Sequence, residues 1–179
     1  MKTIFNIFLF LFFYTEYLNS QVSQEWVARY HYYSEDAAIA MAIDNTGNVY
    51  VTGGSEASTP NGAKQDYATI KYNSAGIQLW VQRFNGLGND EDEPTGIVVD
   101  DSGNVYVTGT SNRVSFPQQA HYDIVTIKYN TNGVQQWLRR YQSAGTNAAT
   151  AGIALDGQGN IYVGGRSAGI GYLIIKYKN

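Results

Sequence analysis

The sequence contains no cysteine, only 3 proline residues, and charged side chains at 15% of its 179 positions. Without cysteine the chain forms no disulfide, so strand pairing and packing must stabilise it. It has no run of lysine and arginine and carries a net charge of −3, which argues against a nucleic-acid surface. No segment shows a sustained helical period of apolar residues. We therefore expect an all-β protein that binds no nucleic acid.

Motifs of several common catalytic sites are also missing. The chain has no cysteine nucleophile, no His-Glu-x-x-His and no phosphate-binding glycine loop. Its two histidines, His31 and His121, share no motif with a carboxylate. We therefore predict no catalytic residues, no enzymatic activity and no bound cofactor.

The first twenty residues are typical of a secretory signal peptide. Lys2 precedes an apolar run over residues 4–14, and Ser20 offers a small residue at a cleavage point before Gln21. The run is shorter than the roughly 20 apolar residues that a membrane span needs, although a retained anchor is the alternative. We predict that residues 1–20 are removed and that residues 21–179 are secreted or displayed on the cell surface, without a membrane span.

The remaining sequence contains three copies of one unit, and glycine (19) and tyrosine (15) are abundant. Asp44, Asp100 and Asp156 occupy matching positions 56 residues apart. Each unit contains Trp-x-x-Arg-[Tyr/Phe], then an apolar segment ending in Asp-x-x-Gly-Asn, then [Val/Ile]-Tyr-Val-x-Gly, and finally Ile-Lys-Tyr. The approximate units are 26–79, 80–136 and 137–179.

Each unit holds four strand-sized segments bounded by turn signals. In the first unit we place strands a to d at Ile39–Asp44, Val49–Gly53, Tyr67–Tyr72 and Ile77–Phe84. The Asp-x-x-Gly-Asn linkers predict tight hairpins with an Asx-type bond and glycine at positive φ. A four-stranded antiparallel meander repeated about every 56 residues predicts β-propeller blades. The recurring tryptophan and tyrosine residues would fill the wedge between blades.

The repeated motifs resemble the SBBP repeat, which is found in many secreted bacterial β-propeller proteins. The resemblance covers residues 26–179 and rests on the Trp-x-x-Arg, Asp-x-x-Gly-Asn and Thr-Ile-Lys-Tyr motifs. It implies a propeller fold and an exported bacterial protein, and it implies no defined reaction. Gly164 departs from the pattern, because Thr52 and Thr108 occupy that position in the other units.

The order of the strands leaves the third blade incomplete. The Trp80 strand completes the first blade and the Trp137 strand completes the second, so the third lacks its own outer strand. The Trp26 segment could fill that gap, as a first outer strand does in closed propellers. Three blades are fewer than the usual four to eight. We therefore expect a partial propeller or half-ring that forms a homo-oligomer or belongs to a longer propeller.

Binding residues are expected in the connections that differ between units, because variable loops on a rigid scaffold carry most binding sites. The b–c and d–a connections lie on one side of a meander, and we place Lys64 and Gln65 in such a loop. The candidate ligand-facing residues are Tyr32, Tyr33, Asp90, Glu91, Asp92, Glu93, Arg113, Phe116 and His121.

The charged residues have mainly structural interpretations. The run Asp90–Glu93 could bind Ca²⁺ through oxygen ligands, but it lacks EF-hand spacing and is not repeated, so we favour a solvated acidic loop. Arginine, lysine and aspartate each recur once per unit, and we predict structural ion pairs, including one between Asp100 and Lys128.

We therefore predict a secreted or cell-surface propeller module that binds a protein or glycan ligand. One alternative is an extracellular carbohydrate-active hydrolase or lyase with its site at the channel mouth. The other is a structural adhesin or surface spacer.

Overall fold

The computed structural model describes residues 22–59, 62–113, 121–143 and 147–178. The predicted signal peptide, residues 1–20, lies outside these ranges. Across the described residues no helix is long and apolar enough to cross a membrane, and the regular structure is β-strand, as predicted. The strands are β1 (Asp36–Ile43), β2 (Val49–Thr59), β3 (Gly62–Tyr72), β4 (Gln78–Phe84), β5 (Asp92–Val99), β6 (Val105–Asn112), β7 (Tyr122–Tyr129), β8 (Gln135–Tyr141), β9 (Ala148–Leu155), β10 (Ile161–Ser167) and β11 (Gly171–Tyr177).

The strands form three antiparallel sheets in which sequence neighbours pair. Blade 1 contains β1–β4, blade 2 contains β5–β8, and blade 3 contains β9–β11. The predicted meander is therefore confirmed, with Trp80 in the outer strand of blade 1 and Trp137 in that of blade 2. Within the described residues, blade 3 has three strands and β11 is its outermost. The first strands of successive blades lie side by side, so the blades form part of a propeller.

Two predicted loops are partly strand. β2 and β3 remain paired as far as Thr59 and Gly62, so Lys64 and Gln65 lie within β3 instead of a loop. No proline interrupts the ladder before Pro60, and polar side chains are tolerated on a hairpin that faces solvent. β5 likewise begins at Asp92, because a bulge at residues 94–96 lets pairing with β6 continue beyond the predicted strand.

The aspartate that follows the first strand of each blade closes the next turn. Asp44 Oδ1 accepts hydrogen bonds from the backbone amides of Thr46 and Asn48, both at 2.9 Å. The glycine in this turn has φ between 75° and 80° in all three blades, a conformation that favours glycine. The predicted Asx-type hairpin turns are therefore confirmed.

Each blade has two different faces. The aromatic face carries the tyrosine of its second strand, which is Tyr50 in blade 1. The aliphatic face carries the flanking branched residues, which are Val105 and Val107 in blade 2. The aromatic face of blade 1 packs on the aliphatic face of blade 2, and blade 2 packs on blade 3 in the same way. Both faces of blade 2 are therefore covered.

Tryptophan fills the outer part of each wedge, as predicted. The Trp80 ring centroid lies 6.2 Å from that of Tyr50 in its own blade and 6.3 Å from that of Tyr129 in the next. Trp137 bridges Tyr106 and Tyr177 at 6.0 and 5.8 Å. Such aromatic pairs contribute about 0.5–1.5 kcal/mol each beyond the area that they bury.

The recurring arginines form the predicted ion pairs in blades 1 and 2. Arg83 lies 3.4 Å from Asp66, and Arg140 lies 3.3 Å from Asp123. Both guanidinium groups also donate to equivalent serines of the second strand, Ser55 in blade 1 and Ser111 in blade 2. The outer strand of each four-stranded blade is therefore fixed by a partly buried charge pair.

Aspartate and lysine are connected in a different way from the one predicted. The Tyr106 hydroxyl donates to Asp100 at 2.9 Å, and Lys128 Nζ lies 5.2 Å from the centroid of the same ring. Blades 1 and 3 repeat the contact between lysine and tyrosine at 5.1 and 5.0 Å. The Tyr106 side chain therefore contacts both charged groups, Asp100 through its hydroxyl and Lys128 through its ring.

Candidate functional site

The connections between blades lie at the same end of the sheets as the hairpins between second and third strands. We call this end the loop face, and the opposite end, with the Asp-x-x-Gly-Asn hairpins, the turn face. The turn face repeats almost unchanged, whereas the loop face differs from blade to blade in length and charge. The residues that distinguish one blade from another are therefore concentrated on the loop face.

The acidic run on the loop face divides between two environments. Asp90 lies 2.7 Å from Lys64 Nζ and accepts a hydrogen bond from Asn112 Nδ2 at 3.2 Å. The hydrogen bond from Lys64 lowers the pKa of Asp90 below its usual value. Asp92 points inward and is fully buried, because side chains alternate between the two faces along a strand.

Burial raises the pKa of Asp92 to about 6, although hydrogen bonds from Ser111 and the amide of Gly86 act in the opposite direction. Asp92 thus lies inside the loop face instead of facing a ligand. In the described ranges no three His, Cys, Asp or Glu side chains are grouped as metal ligands. The four carboxylates of the predicted acidic loop therefore do not converge on one point.

A cleft of about 410 Å³ opens on the loop face, and all three blades contribute to it. Its charged lining residues are Glu91 and Glu93 from blade 2 and Arg166 from blade 3. Tyr122 adds an aromatic ring, and its backbone amide donates to Asn147 Oδ1 at 3.1 Å. The remaining lining residues are Gln65, Thr110, Ala148 and Ala149.

The cleft combines groups that recognise a polar ligand. Carboxylates and the Asn147 amide accept hydrogen bonds, Arg166 donates them in a planar array, and Tyr122 offers an apolar ring. Burial, with the nearby Asp90 and Glu91 charges, raises the pKa of Tyr122, so its hydroxyl stays protonated and can donate. The cleft can therefore bind hydroxyl or amide groups in a defined orientation.

The other candidate residues that the structure describes do not line this cleft. Tyr32 stacks against Arg83, whose guanidinium carbon is 4.0 Å from the ring centroid, and Tyr33 is 55% exposed. Arg113 pairs with Asp123 at 2.9 Å, and its amide donates to the carbonyl of His121. Arg113 and His121 thus hold the hairpin of blade 2 closed. Phe116 lies outside the described residues.

Tyr122, Asn147 and Arg166 line the cleft but are not among the candidate residues predicted from the sequence. A signal existed for Arg166, because Gly54 and Thr110 occupy the same position in the other repeats. A charge that appears in one repeat alone marks a departure from the scaffold. No comparable signal distinguishes Tyr122 or Asn147, since their role depends on how neighbouring blades are arranged.

The chain also contains a Gly-x-Ser-x-Gly pentapeptide, at residues 165–169. In hydrolases this motif forms a sharp turn from a strand into a helix, which exposes the serine. Here Ser167 is the last residue of β10, is 2% exposed, and is hydrogen-bonded to Ser143. The pentapeptide leads into the hairpin to β11, so it does not form a nucleophile elbow.

Comparison with known families agrees with this architecture. Residues 79–117 and 136–172 each match the family model SBBP, described as a beta-propeller repeat. Each match starts one residue before the tryptophan of an outer strand, so the family unit begins at the strand where the sequence repeat begins. No curated protein matches the chain.

Proposed function

Because the chain contains SBBP beta-propeller repeats, we propose that it is a non-enzymatic extracellular scaffold that binds a protein or glycan ligand through its loop face. The repeats provide a rigid scaffold of packed sheets. The cleft lined by Glu91, Glu93, Tyr122 and Arg166 is the centre of the binding surface. The proposal rests on one observation. Side chains that do not repeat converge from three blades on one cleft, while the repeated residues are used in turns and packing.

A glycan or a polar peptide segment suits this cleft better than an apolar ligand. Its charged and amide groups can form several hydrogen bonds at once, and a sugar ring or side chain can pack on Tyr122. Binding outside the cell is supported by residues 1–20, which have the pattern of a secretory signal peptide.

Binding is favoured over glycoside hydrolysis by the position of the perturbed carboxyl groups. A general acid needs a raised pKa and contact with the substrate. Burial raises the pKa of both Asp66 and Asp92, but both are buried and neither lines the cleft. The carboxylates that do line it, Glu91 and Glu93, are therefore assigned to ligand recognition.

The proposal is tested by screening the purified chain against a glycan array and a panel of surface proteins, followed by titration of any ligand found. Arg166→Thr, which copies the residue of blade 2, and Glu93→Gln should each weaken binding roughly tenfold or more, because each removes a charged hydrogen-bond partner.

Gln158→Ala is the matched control, because Gln158 is an exposed side chain on the turn face. Its affinity should equal that of the unmodified chain. Ligand binding that is unaffected by both cleft variants would place the site elsewhere, and a chain that binds nothing in either screen would favour the structural spacer.

A further inference from the structure

We propose that two copies of this chain associate head to tail, with the aromatic face of blade 3 in one copy packed on the aliphatic face of blade 1 in the other. These two faces are the two halves of an interface that the chain already forms twice, between blades 1 and 2 and between blades 2 and 3. The proposed contact continues that established interface across two molecules.

The aliphatic face of blade 1 is covered over only part of its area. Val107 and Val125 of blade 2 are fully buried beneath blade 1. Their counterparts Val51 and Ala68 instead line an apolar cavity of about 360 Å³, and Met41 at its rim is 60% exposed. The aliphatic face of blade 1 therefore resembles that of blade 2, but no neighbouring sheet covers it in the described part of the chain.

The leading segment, residues 22–30, lies beside this cavity where an outer strand would lie. Trp26 Nε1 donates to the carbonyl of Ser74 at 3.2 Å, just as Trp80 Nε1 donates to the carbonyl of Thr131 at 3.1 Å. The tryptophan ring covers a turn glycine in both cases. Relative to blade 1, the segment therefore has the position that β4 has relative to blade 2.

The aromatic face of blade 3 is exposed. Tyr172 is 99% exposed and Ile174 is 71% exposed, whereas their counterparts in blade 1, Tyr67 and Thr69, are each 1% exposed. In the described part of the chain no strand lies beyond β11. The leading segment of a second copy would supply that fourth strand, and the cavity on its blade 1 would receive the exposed side chains.

The inner part of the cavity has the shape that a tyrosine requires. The Tyr67 hydroxyl of blade 1 donates to the carbonyl of Thr110, and Gly109 beside it leaves the necessary space, since a Cβ there would lie 2.4 Å from that hydroxyl. Gly53 is the counterpart of Gly109 and lines the cavity. Tyr172 of a second copy can therefore enter over Gly53 as Tyr67 enters over Gly109.

The contact is reciprocal, so two copies close on themselves. A pair contributes six blades, because the described residues of each copy form three, and six falls within the four to eight blades of known propellers. Gly171 stands where Asp66 and Asp123 pair with arginine in the other blades. Arg29 of the second copy would therefore lack a carboxylate partner, which makes this contact weaker than those within the chain and the pairing dependent on concentration.

Sedimentation of the purified chain over a range of concentrations tests the proposal. The unmodified chain should reach twice the monomer mass, whereas Ile174→Asp and Met41→Asp should each remain monomeric, because each places a charge in an apolar contact. Leu87→Asp is the matched control, since Leu87 is 72% exposed on the loop face, away from both surfaces. It should associate like the unmodified chain.

Mixing the two variants provides a stricter test. A pair of one Ile174→Asp copy and one Met41→Asp copy retains one intact contact, so the mixture should recover part of the association that neither variant shows alone. Circular dichroism of each variant should match the unmodified chain, which separates lost association from unfolding.

A chain that stays monomeric at every concentration, or an Ile174→Asp variant that still pairs, would overturn the proposal, as would a ladder of larger species in place of a closed pair. Neither variant alters the cleft, so loss of pairing and loss of ligand binding can be distinguished.

Discussion

Single aspartates define the turn face through their charge. The carboxylate of Asp100 accepts hydrogen bonds from the amides of Ser102 and Asn104, from the Asn104 side chain and from the Tyr106 hydroxyl. These bonds lower the pKa of Asp100 despite the opposing effect of its burial, the largest influence on that group. One ionised side chain therefore accepts four hydrogen bonds and fixes the hairpin.

Asp100→Asn should lower the free energy of unfolding by about 1–3 kcal/mol, because its amide nitrogen would face donors in place of an acceptor. The measurement is the midpoint of chemical denaturation. Asp101→Asn is the control, since Asp101 is exposed and accepts a hydrogen bond from the side chain of Asn45. Equal stability of the two variants would show that the charge of Asp100 does not hold the turn.

Asp92 makes the free energy of unfolding depend on pH in the direction opposite to that of the turn aspartates. Burial raises its pKa from 3.8 to about 6 in the folded state, so folding favours its protonated form. The stability that it contributes is complete below pH 3.8 and is lost as the pH rises through about 6. Asp156 acts in the other direction, since its hydrogen bonds lower its pKa to about 2 and its contribution is lost as the pH falls from about 4 to 2.

We therefore expect the unfolding midpoint to rise as the pH is lowered from 7 to 5 and to fall again below pH 4. Asp92→Asn should remove most of the first change, which amounts to about 1 kcal/mol, and should leave the fall at low pH intact. Thermal unfolding across this pH range measures both. Glu93→Gln, at the exposed neighbouring position, should retain the complete profile, and an Asp92→Asn variant with an unaltered profile would contradict the assignment.

At the scale of the strand, one buried carboxylate anchors the outer edge of blade 2 more firmly than its counterpart anchors blade 1. Asp123 is fully buried and contacts two arginines, Arg113 at 2.9 Å and Arg140 at 3.3 Å. Asp66 contacts Arg83 at 3.4 Å. Asp123 therefore joins the β6–β7 hairpin to β8, whereas Asp66 secures β4 alone.

Asp123→Asn should destabilise the chain by about 3 kcal/mol, because two largely buried guanidinium groups lose their countercharge. Asp66→Asn should cost less, since burial already raises the pKa of Asp66 and opposes its ionised form. Chemical denaturation of the two variants side by side provides the comparison. Equal losses, or a larger loss for Asp66→Asn, would contradict this difference between the two outer strands.

At the scale of the whole molecule, the central blade is the most protected part of the chain. Blade 2 has a neighbour on both faces, and the second to fourth residues of β6 are fully buried. Blade 1 is covered on one face and part of the other, and β11 is alternately exposed along its length. Local opening costs less free energy where fewer contacts are lost.

Hydrogen exchange should therefore show the slowest amides in β6 and β7 and the fastest strand amides in β11. The expected ratio between the two groups is on the order of a hundredfold or more, because the central strands open only with the global transition. Exchange followed by mass spectrometry at low protein concentration measures it. Uniform protection of the amides across the three blades would contradict an array of sheets that is stabilised only by contacts between neighbouring blades.

The sequence determined the repeated unit. Its period of 56 residues, the Asp-x-x-Gly-Asn hairpins and the order of the four strands are local features, because turn chemistry and alternating apolar residues act within a few positions of each other. The roles of tryptophan and arginine were also predictable, since they recur once per unit. Such repetition indicates a structural role without any knowledge of distant contacts.

Only the tertiary structure decided which non-repeating residues meet. Asp92 is buried while Glu93 lines the cleft, and Tyr122, Asn147 and Arg166 reach that cleft from different blades. These outcomes depend on the start of a strand, on one bulge and on the angle between neighbouring sheets. Those quantities arise from packing between segments more than 20 residues apart, and no local pattern in the chain records them.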